Sequence, residues 1–357
     1  MKKSILSMAV ISAIAVSCSN DNVITDSGKA KSIKITTSLD KQTRAYTDAA
    51  SITSFKMTAI KENDGSKHID DVSVTHTGSS CSWLGNTTWP GNGSNLLFFA
   101  YAPETLGSGV TTSFDKTAGG KIENFVQNAS STPVDLITAY TEGVNGSGVT
   151  LTFKHALSKV ELKAQNHSLI YTMKVKGIKL GGIHSKGTLT FAPASPWSNS
   201  WGSTSDPKVY SYDGEEKDLN GSSATDLNYG DFLVVPQTLP TAWNPSLPSN
   251  GGSYISVLCQ IKKGDAKVYP TDGGTEEYGW AAIPVPSSIT SWEPGKKYVY
   301  TLRFFYDGNG GAGYVDPEET ISKTGKNPGV AIVEKTNISI TVSIEDWTNG
   351  ANHDLDY

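Results

Sequence analysis

Cysteine is scarce in this chain: three among 357 residues, Cys18, Cys81 and Cys259. That excludes a disulfide-dense scaffold, and with six scattered histidines it excludes a zinc site of ordinary ligand spacing. Cys81 and Cys259 stand far apart, and the simplest reading is two free thiols. Charge is thin as well. Charged residues make up 18% of the chain, and the formal net charge is -5. No cluster of Lys and Arg supplies the phosphate-neutralising footprint that nucleic acid needs, so nucleic acid is excluded as a partner. Beyond the first residues, no apolar run approaches the roughly 20 residues of a membrane helix. Helical periodicity is weak throughout. The best stretch, residues 156–164, reads equally well as an extended strand.

The chain does have an export signal. Lys2 and Lys3 form a basic start, residues 5–16 are apolar with small serines, and Ala15, Val16 and Ser17 precede Cys18. This is the pattern of a lipoprotein signal peptide spanning 1–17, with cleavage between Ser17 and Cys18 and an acyl chain such as palmitate on Cys18. Residues 32–39 follow as a short alternating strand: Ile33, Ile35, Thr37 and Leu39 on one face, Lys34, Thr36 and Ser38 on the other. A polar loop containing Arg44 comes next. An exported, lipid-tethered chain with a cleavable loop after its first strand points to surface assembly more than to metabolism.

The remainder reads as all-β. Gly (35 residues), Ser, Thr and Asn are abundant, and turn clusters separate short runs of strand character. Such runs occupy residues 54–60, 95–101, 149–153, 160–164, 171–175, 187–191, 231–235, 254–258, 297–304 and 337–344. The 95–101 run is almost continuously apolar and predicts an interior strand. Short strands without βα alternation imply β-sandwiches with mainly antiparallel sheets. The length suits two domains, and the polar break at residues 166–168 is the best boundary. The expected organisation is therefore 1–17 signal peptide, 18–44 propeptide-like segment with the first strand, 45–166 N-terminal domain and 167–357 C-terminal domain.

No catalytic set assembles: no serine sits in a G-x-S-x-G elbow, and Asp70, Asp71, Glu215 and Glu216 lie in turn-like sequence. No enzyme and no cofactor is expected. Gly308, Gly310 and Gly313 match G-x-G-x-x-G, but Pro317 follows soon after, which is a poor start for the helix that a phosphate needs. Asp307 to Glu318 has the span of a calcium loop, but Gly311 and Ala312 break its pattern, so a solvated acidic loop is expected over 307–319 and no metal. Trp83, Trp89, Trp197, Trp201 and Trp243 lie in polar, turn-rich stretches. They read as plugs at the ends of sandwiches rather than as exposed platforms for sugars.

Four phrases resemble the fimbrillin-like family of type V pilus lipoproteins of Bacteroidales. Phe153, His155, Ala156, Leu157, Ser158, Lys159 and Val160 resemble its Phe-x-His-Ala-Leu-Ser-Lys-Val signature. Val235, Pro236, Gln237 and Thr238 resemble its Val-Pro-Gln-Thr strand end. Trp292, Pro294, Gly295, Lys296 and Tyr298 are similar to its Trp-x-Pro-Gly-Lys-x-Tyr element, and the ending through Trp347 resembles its closing strand. The resemblance implies two tandem transthyretin-like β-sandwich domains and export to the outer membrane surface as a fimbrial subunit. It also implies a cut between Arg44 and Ala45 that removes the first strand. A donor strand from another subunit, residues 332–346 with Ile338, Ile340, Val342 and Ile344 as its apolar knobs, would then fill the groove. The implied partners are other pilus subunits, the membrane through Cys18, and a host protein or glycan. Without the resemblance, 32–39 is a permanent first strand and 337–344 a permanent last one. The alternative function is a lipid-anchored adhesin or glycan-binding module that never polymerises.

Overall fold

The computed structural model describes residues 31–39, 52–77, 80–129, 132–192, 196–219, 221–249, 251–308 and 310–347. Its first strands are β1 (Lys34–Leu39), β2 (Ser54–Lys61), β3 (Lys67–Thr77), β4 (Ser80–Ser82), β5 (Leu96–Ala102), β6 (Thr111–Asp115), β7 (Gly119–Val126), β8 (Ile137–Gly143) and β9 (Gly148–His155). There follow β10 (Ser158–Asn166), β11 (Tyr171–Ala192), β12 (Ser198–Trp201), β13 (Ser205–Asp218), β14 (Thr225–Asp226), β15 (Phe232–Val234) and β16 (Gln237–Thr238). The last are β17 (Tyr254–Lys263), β18 (Ala266–Tyr269), β19 (Gly279–Pro284), β20 (Ser291–Trp292), β21 (Lys296–Phe304), β22 (Tyr314–Val315) and β23 (Ser339–Asp346). A single turn of helix, α1 (Ile321–Thr324), lies between β22 and β23.

The all-β sandwich architecture expected from the sequence is what the structure shows. Seven strands form one sheet in the order β1-β9-β8-β5-β2-β3-β4. A nine-stranded sheet follows the path β22-β19-β17-β11-β7-β6, and a five-stranded sheet follows β14-β10-β21-β23. Pairing is antiparallel apart from β1 with β9 and β10 with β21. Strand β5 is buried along its whole length, which accounts for its unbroken apolar sequence. Phe98 and Ala100 face one cluster with Phe55 and Phe153, while Leu97, Phe99 and Tyr101 face another with Phe125 and Phe191. Val160, Leu162, Tyr300 and Leu302 of the five-stranded sheet pack against Val175, Leu180 and Val257 of the nine-stranded one in the largest core.

The sequence suggests two strands at 171–175 and 187–191, but the structure has one, the 22-residue β11. Its first half pairs with β17 and its second half with β7. The strand bends rather than breaks, with register shifts between Val175 and Gly177 and between Leu180 and Ile183. Glycine is required at the bend. A Cβ on Gly181 would lie 2.0 Å from the Tyr254 ring, and Gly182 has a φ of 70°. The chain changes sheets between His155, which ends β9, and Ser158, which begins β10.

Candidate functional site

Strand β1 is the edge of the seven-stranded sheet. It pairs with β9 in parallel, from Lys34 opposite Gly148 to Leu39 opposite Phe153. Ile33 and Ile35 point inward and are buried beside Val149, Leu151 and Phe153. Each such isoleucine contributes about 2 kcal/mol through burial. Thr37 reaches across to β3, its hydroxyl 3.3 Å from His76 Nε2. His76 Nδ1 lies 2.9 Å from the Ile52 carbonyl, an acceptor only. Nδ1 therefore carries a proton. The outward face is tied less firmly, by Thr36 to Thr150 at 3.0 Å and Ser38 to Thr152 at 2.9 Å. Strand β1 thus fills a slot between β9 and the β3–β4 hairpin. Without it, the slot would present an unpaired strand edge and apolar side chains.

Strand β23 is also an edge, paired with β21 alone. Ile338, Ile340 and Val342 are only partly buried against the main core. The alternation predicts Ile344 on the same inward face, but it is 53% exposed. The chain burial that ends the strand comes from Trp347 instead, at 4% exposure. Its ring stacks on His155, and its backbone N–H donates to the Gly295 carbonyl at 2.9 Å.

Three of the motif phrases meet here. Gly295 N–H donates to the Leu157 carbonyl at 2.8 Å, and the Ser158 hydroxyl donates to the Glu293 carbonyl at 2.7 Å. His155 Nδ1 lies 2.9 Å from Asp135, with both side chains buried. Lys159, also buried, pairs with Asp231 at 2.9 Å and Glu161 at 3.1 Å. The His-Ala-Leu-Ser-Lys phrase is therefore the crossing between sheets, and the Trp-Glu-Pro-Gly turn and the C-terminal Trp347 dock on it. In the fourth phrase, Gln237 binds the backbone of His184 in both directions, at 3.0 Å each. No periodicity in the sequence announced this meeting; the recurrence of buried, hydrogen-bonding side chains in motif phrases was its only trace.

Two expectations about loops resolve differently. All eight tryptophans are buried or half-buried, so those in polar stretches do plug the fold. The 307–319 stretch is not a solvated acidic loop. Asp316 is fully buried and Glu319 nearly so, its carboxylate accepting the Trp280 backbone N–H at 3.0 Å. The loop's glycines serve backbone packing: a Cβ on Gly311 would collide with the Lys335 carbonyl, and Gly311 N–H donates to Asn337 at 2.7 Å. This contact fastens the base of β23. Among the described residues no group of acidic, His or Cys side chains is arranged to hold a metal ion. Cys81 and Cys259 are free. Ser17, Cys18, Arg44 and Ala45 lie outside the described residues.

The model of the fimbrillin-like family matches residues 36–347. No curated protein matches the chain. Among solved structures, a fimbrial protein from Bacteroides vulgatus superposes with a TM-score of 0.54 at 16% identity, covering 88% of this chain and 99% of its own. One described as a putative cell adhesion protein from Bacteroides uniformis superposes with a TM-score of 0.50 at 14% identity, covering 89% and 99%. At these identities the likeness is one of fold.

Proposed function

Because the chain belongs to the fimbrillin-like family, we propose that it is a structural subunit of a cell-surface fimbria that assembles by exchanging strands. It is exported as a lipoprotein, cleaved between Ser17 and Cys18, and held at the outer membrane by lipid on Cys18. A cut between Arg44 and Ala45 then releases β1 together with the anchor. The slot beside β9 is refilled by residues 332–346 of another subunit, with Ile338, Ile340, Val342 and Ile344 as knobs. The chain carries no enzymatic activity and needs no cofactor, and its partners are other pilus subunits.

The supporting observation is an edge strand that fills a core slot, followed in the chain by Arg44. Strand β1 is an edge whose inward face fills a core slot, and the span between it and β2 contains Arg44. The chain has only one other arginine, Arg303. Arg303 sits inside β21, paired with Gln165 of β10 on one side and Ser339 of β23 on the other. A protease cannot draw that bond into an extended active-site cleft without dismantling the sheet. Arginine-specific cleavage of the folded chain is thereby confined to Arg44. The donor strand has a matching motive to move. At home it leaves Ile344 half in water; in the slot its apolar face would be enclosed.

The test is N-terminal sequencing of the protein taken from native cell surfaces. Ala45 at the new N-terminus supports the proposal. Retention of 18–44 with a lipidated Cys18 would overturn it, in favour of the lipid-anchored adhesin or glycan-binding reading. That second reading gains nothing from the tryptophans, none of which is exposed as a stacking platform.

A further inference from the structure

Lys179 on β11, Ser256 on β17 and Trp280 on β19 share one face of the nine-stranded sheet, opposite the face where Ile178 and Leu180 join the main core. The chain following β22 folds over them and brings in Asp316 and Glu318. Asp316 is fully buried, and Lys179 is 5% exposed. The Lys179 Nζ lies 3.4 Å from Asp316 Oδ2 and 3.0 Å from Glu318 Oε2, with the Trp280 ring 4.4 Å away. The carboxyl group of Asp316 is held in place from both sides. Its Oδ1 accepts the backbone N–H of Glu318 at 2.9 Å, and its Oδ2 accepts the Ser256 hydroxyl at 2.5 Å.

This is the arrangement of an amine and an acyl carbon brought together away from water, with the half-exposed Glu318 carboxylate beside them as proton carrier. We propose that Lys179 and Asp316 join covalently, through an amide bond formed within the folded chain. Glu318 takes one proton from the Lys179 ammonium, which frees the nitrogen lone pair. The nitrogen attacks Cγ of Asp316 and the carbonyl electrons move onto Oδ1, where the Glu318 N–H stabilises the charge. The intermediate loses Oδ2, which departs with two of the three ammonium protons as one water, Glu318 delivering them. The amide keeps the third proton. One ammonium and one carboxylate become one amide and one water, with no oxidant and no cofactor.

Three features favour the reaction here. The partners are fixed at contact distance, which removes most of the entropic barrier to condensation. Burial raises the Asp316 carboxyl above its ordinary value, although Lys179 and the two hydrogen bonds oppose the shift, so the neutral, electrophilic acid is more accessible than in water. And the product replaces a buried ion pair, costly to desolvate, with a neutral amide. Lys159 shows the contrast. It is equally buried, but its partners Asp231 and Glu161 have side chains 43% and 35% exposed. Water reaches both of those carboxylates. If the chain assembles as proposed above, the bond has a mechanical consequence. Tension on β23 would reach Asp316 and pass directly into β11, instead of peeling β22 from the sheet edge.

The test needs no polymer, so its outcome is independent of the assembly proposal. The full chain is purified folded, then unfolded and digested with trypsin. The expected result is a branched peptide in which Lys179 is linked to Asp316, lighter than the two linear peptides together by one water. Trypsin should fail to cut after Lys179. Lys179→Met and Asp316→Ala should each abolish the branched peptide. Glu318→Gln, at a half-exposed side chain whose loss the fold should tolerate, should also abolish it or slow its appearance many-fold. Complete cleavage after Lys179 in the wild-type digest would overturn the proposal, as would a water loss mapped to any other residue pair. A branched peptide formed at full rate in Glu318→Gln would overturn the proton-carrier role.

Discussion

The indole of Trp347 is stacked on the imidazole of His155, with ring centroids 4.1 Å apart and planes 30° from parallel. One residue follows the last strand; the other ends β9, where the chain crosses from one sheet to the next. The contact fastens the far end of β23, as the Gly311–Asn337 hydrogen bond fastens its base. Between these two points the strand is held by β21 on one side only.

Trp347→Ala should therefore loosen β23 more than the rest of the fold. Loss of a buried tryptophan costs about 3 kcal/mol of global stability. Urea unfolding measures that term. Amide exchange should show protection falling most across 339–346, with β9 and β10 less affected. Equal loss in all three strands would refute the latch.

Strands β1 and β23 should respond in opposite ways to substitution. Ile35→Ala removes a fully enclosed side chain and should destabilise the uncleaved chain by roughly 2–4 kcal/mol. It should leave a polymer that lacks β1 unaffected. Ile344→Ser, at a half-exposed position, should change the stability of the single chain by no more than about 0.5 kcal/mol. It should nevertheless weaken the polymer. Denaturation of the monomer and gel ladders of the cleaved product separate the two, and an Ile344→Ser polymer as durable as wild type would argue against strand donation.

Truncation should be placed after Lys335. Ile332 is buried in the main core, and the neighbouring backbone is tied to the body by Val315 N–H to Val330 and Ile332 N–H to Gly313. A chain ending at Lys335 loses the edge strand, the Gly311–Asn337 hydrogen bond at its base and the Trp347 dock. The expected product is folded and monomeric, and it accepts a donor strand without providing one. A product unfolded by circular dichroism would mean that β23 is indispensable to its own sandwich.

The two free thiols should differ in reactivity. Burial pushes the Cys81 thiol up to about 11 and raises that of Cys259 as well. At neutral pH both are protonated, and the thiolate is the reactive form. Alkylation of the folded protein should be negligible for both. As pH rises towards 11, half-buried Cys81 should begin to react, while fully buried Cys259 should react only after unfolding. Mass spectrometry of each cysteine peptide against pH checks this. Rapid labelling of Cys81 near pH 8 would contradict it.

Each strand run read from the sequence coincides with strand in the structure, because alternation and β-branched content report local conformation directly. The apolar 95–101 run also revealed its double-sided burial. The tryptophans were legible too, since a side chain that large is rarely left in water. The union of two runs into β11 was not legible: it depends on Gly181 passing under Tyr254, a residue far away in the chain. The buried end of the 307–319 loop was hidden for a similar reason. Asp316 resembles any surface aspartate until Lys179 and Ser256 are folded beneath it. Ile344 followed the inward alternation on paper, but opposite Tyr298 it is left half exposed.

By itself the sequence determined the all-β class and the alternating faces of the first and last strands. Those properties are written in neighbouring residues, through side-chain period and turn chemistry. Only the tertiary structure decided that β1 plugs a slot between β9 and β3, and that β23 is an edge held at its two ends. It also decided that Arg303 is locked between two strands and that Lys179 meets Asp316. Each depends on segments far apart in the chain, and their spacing is set by core packing and sheet register, which no local pattern encodes.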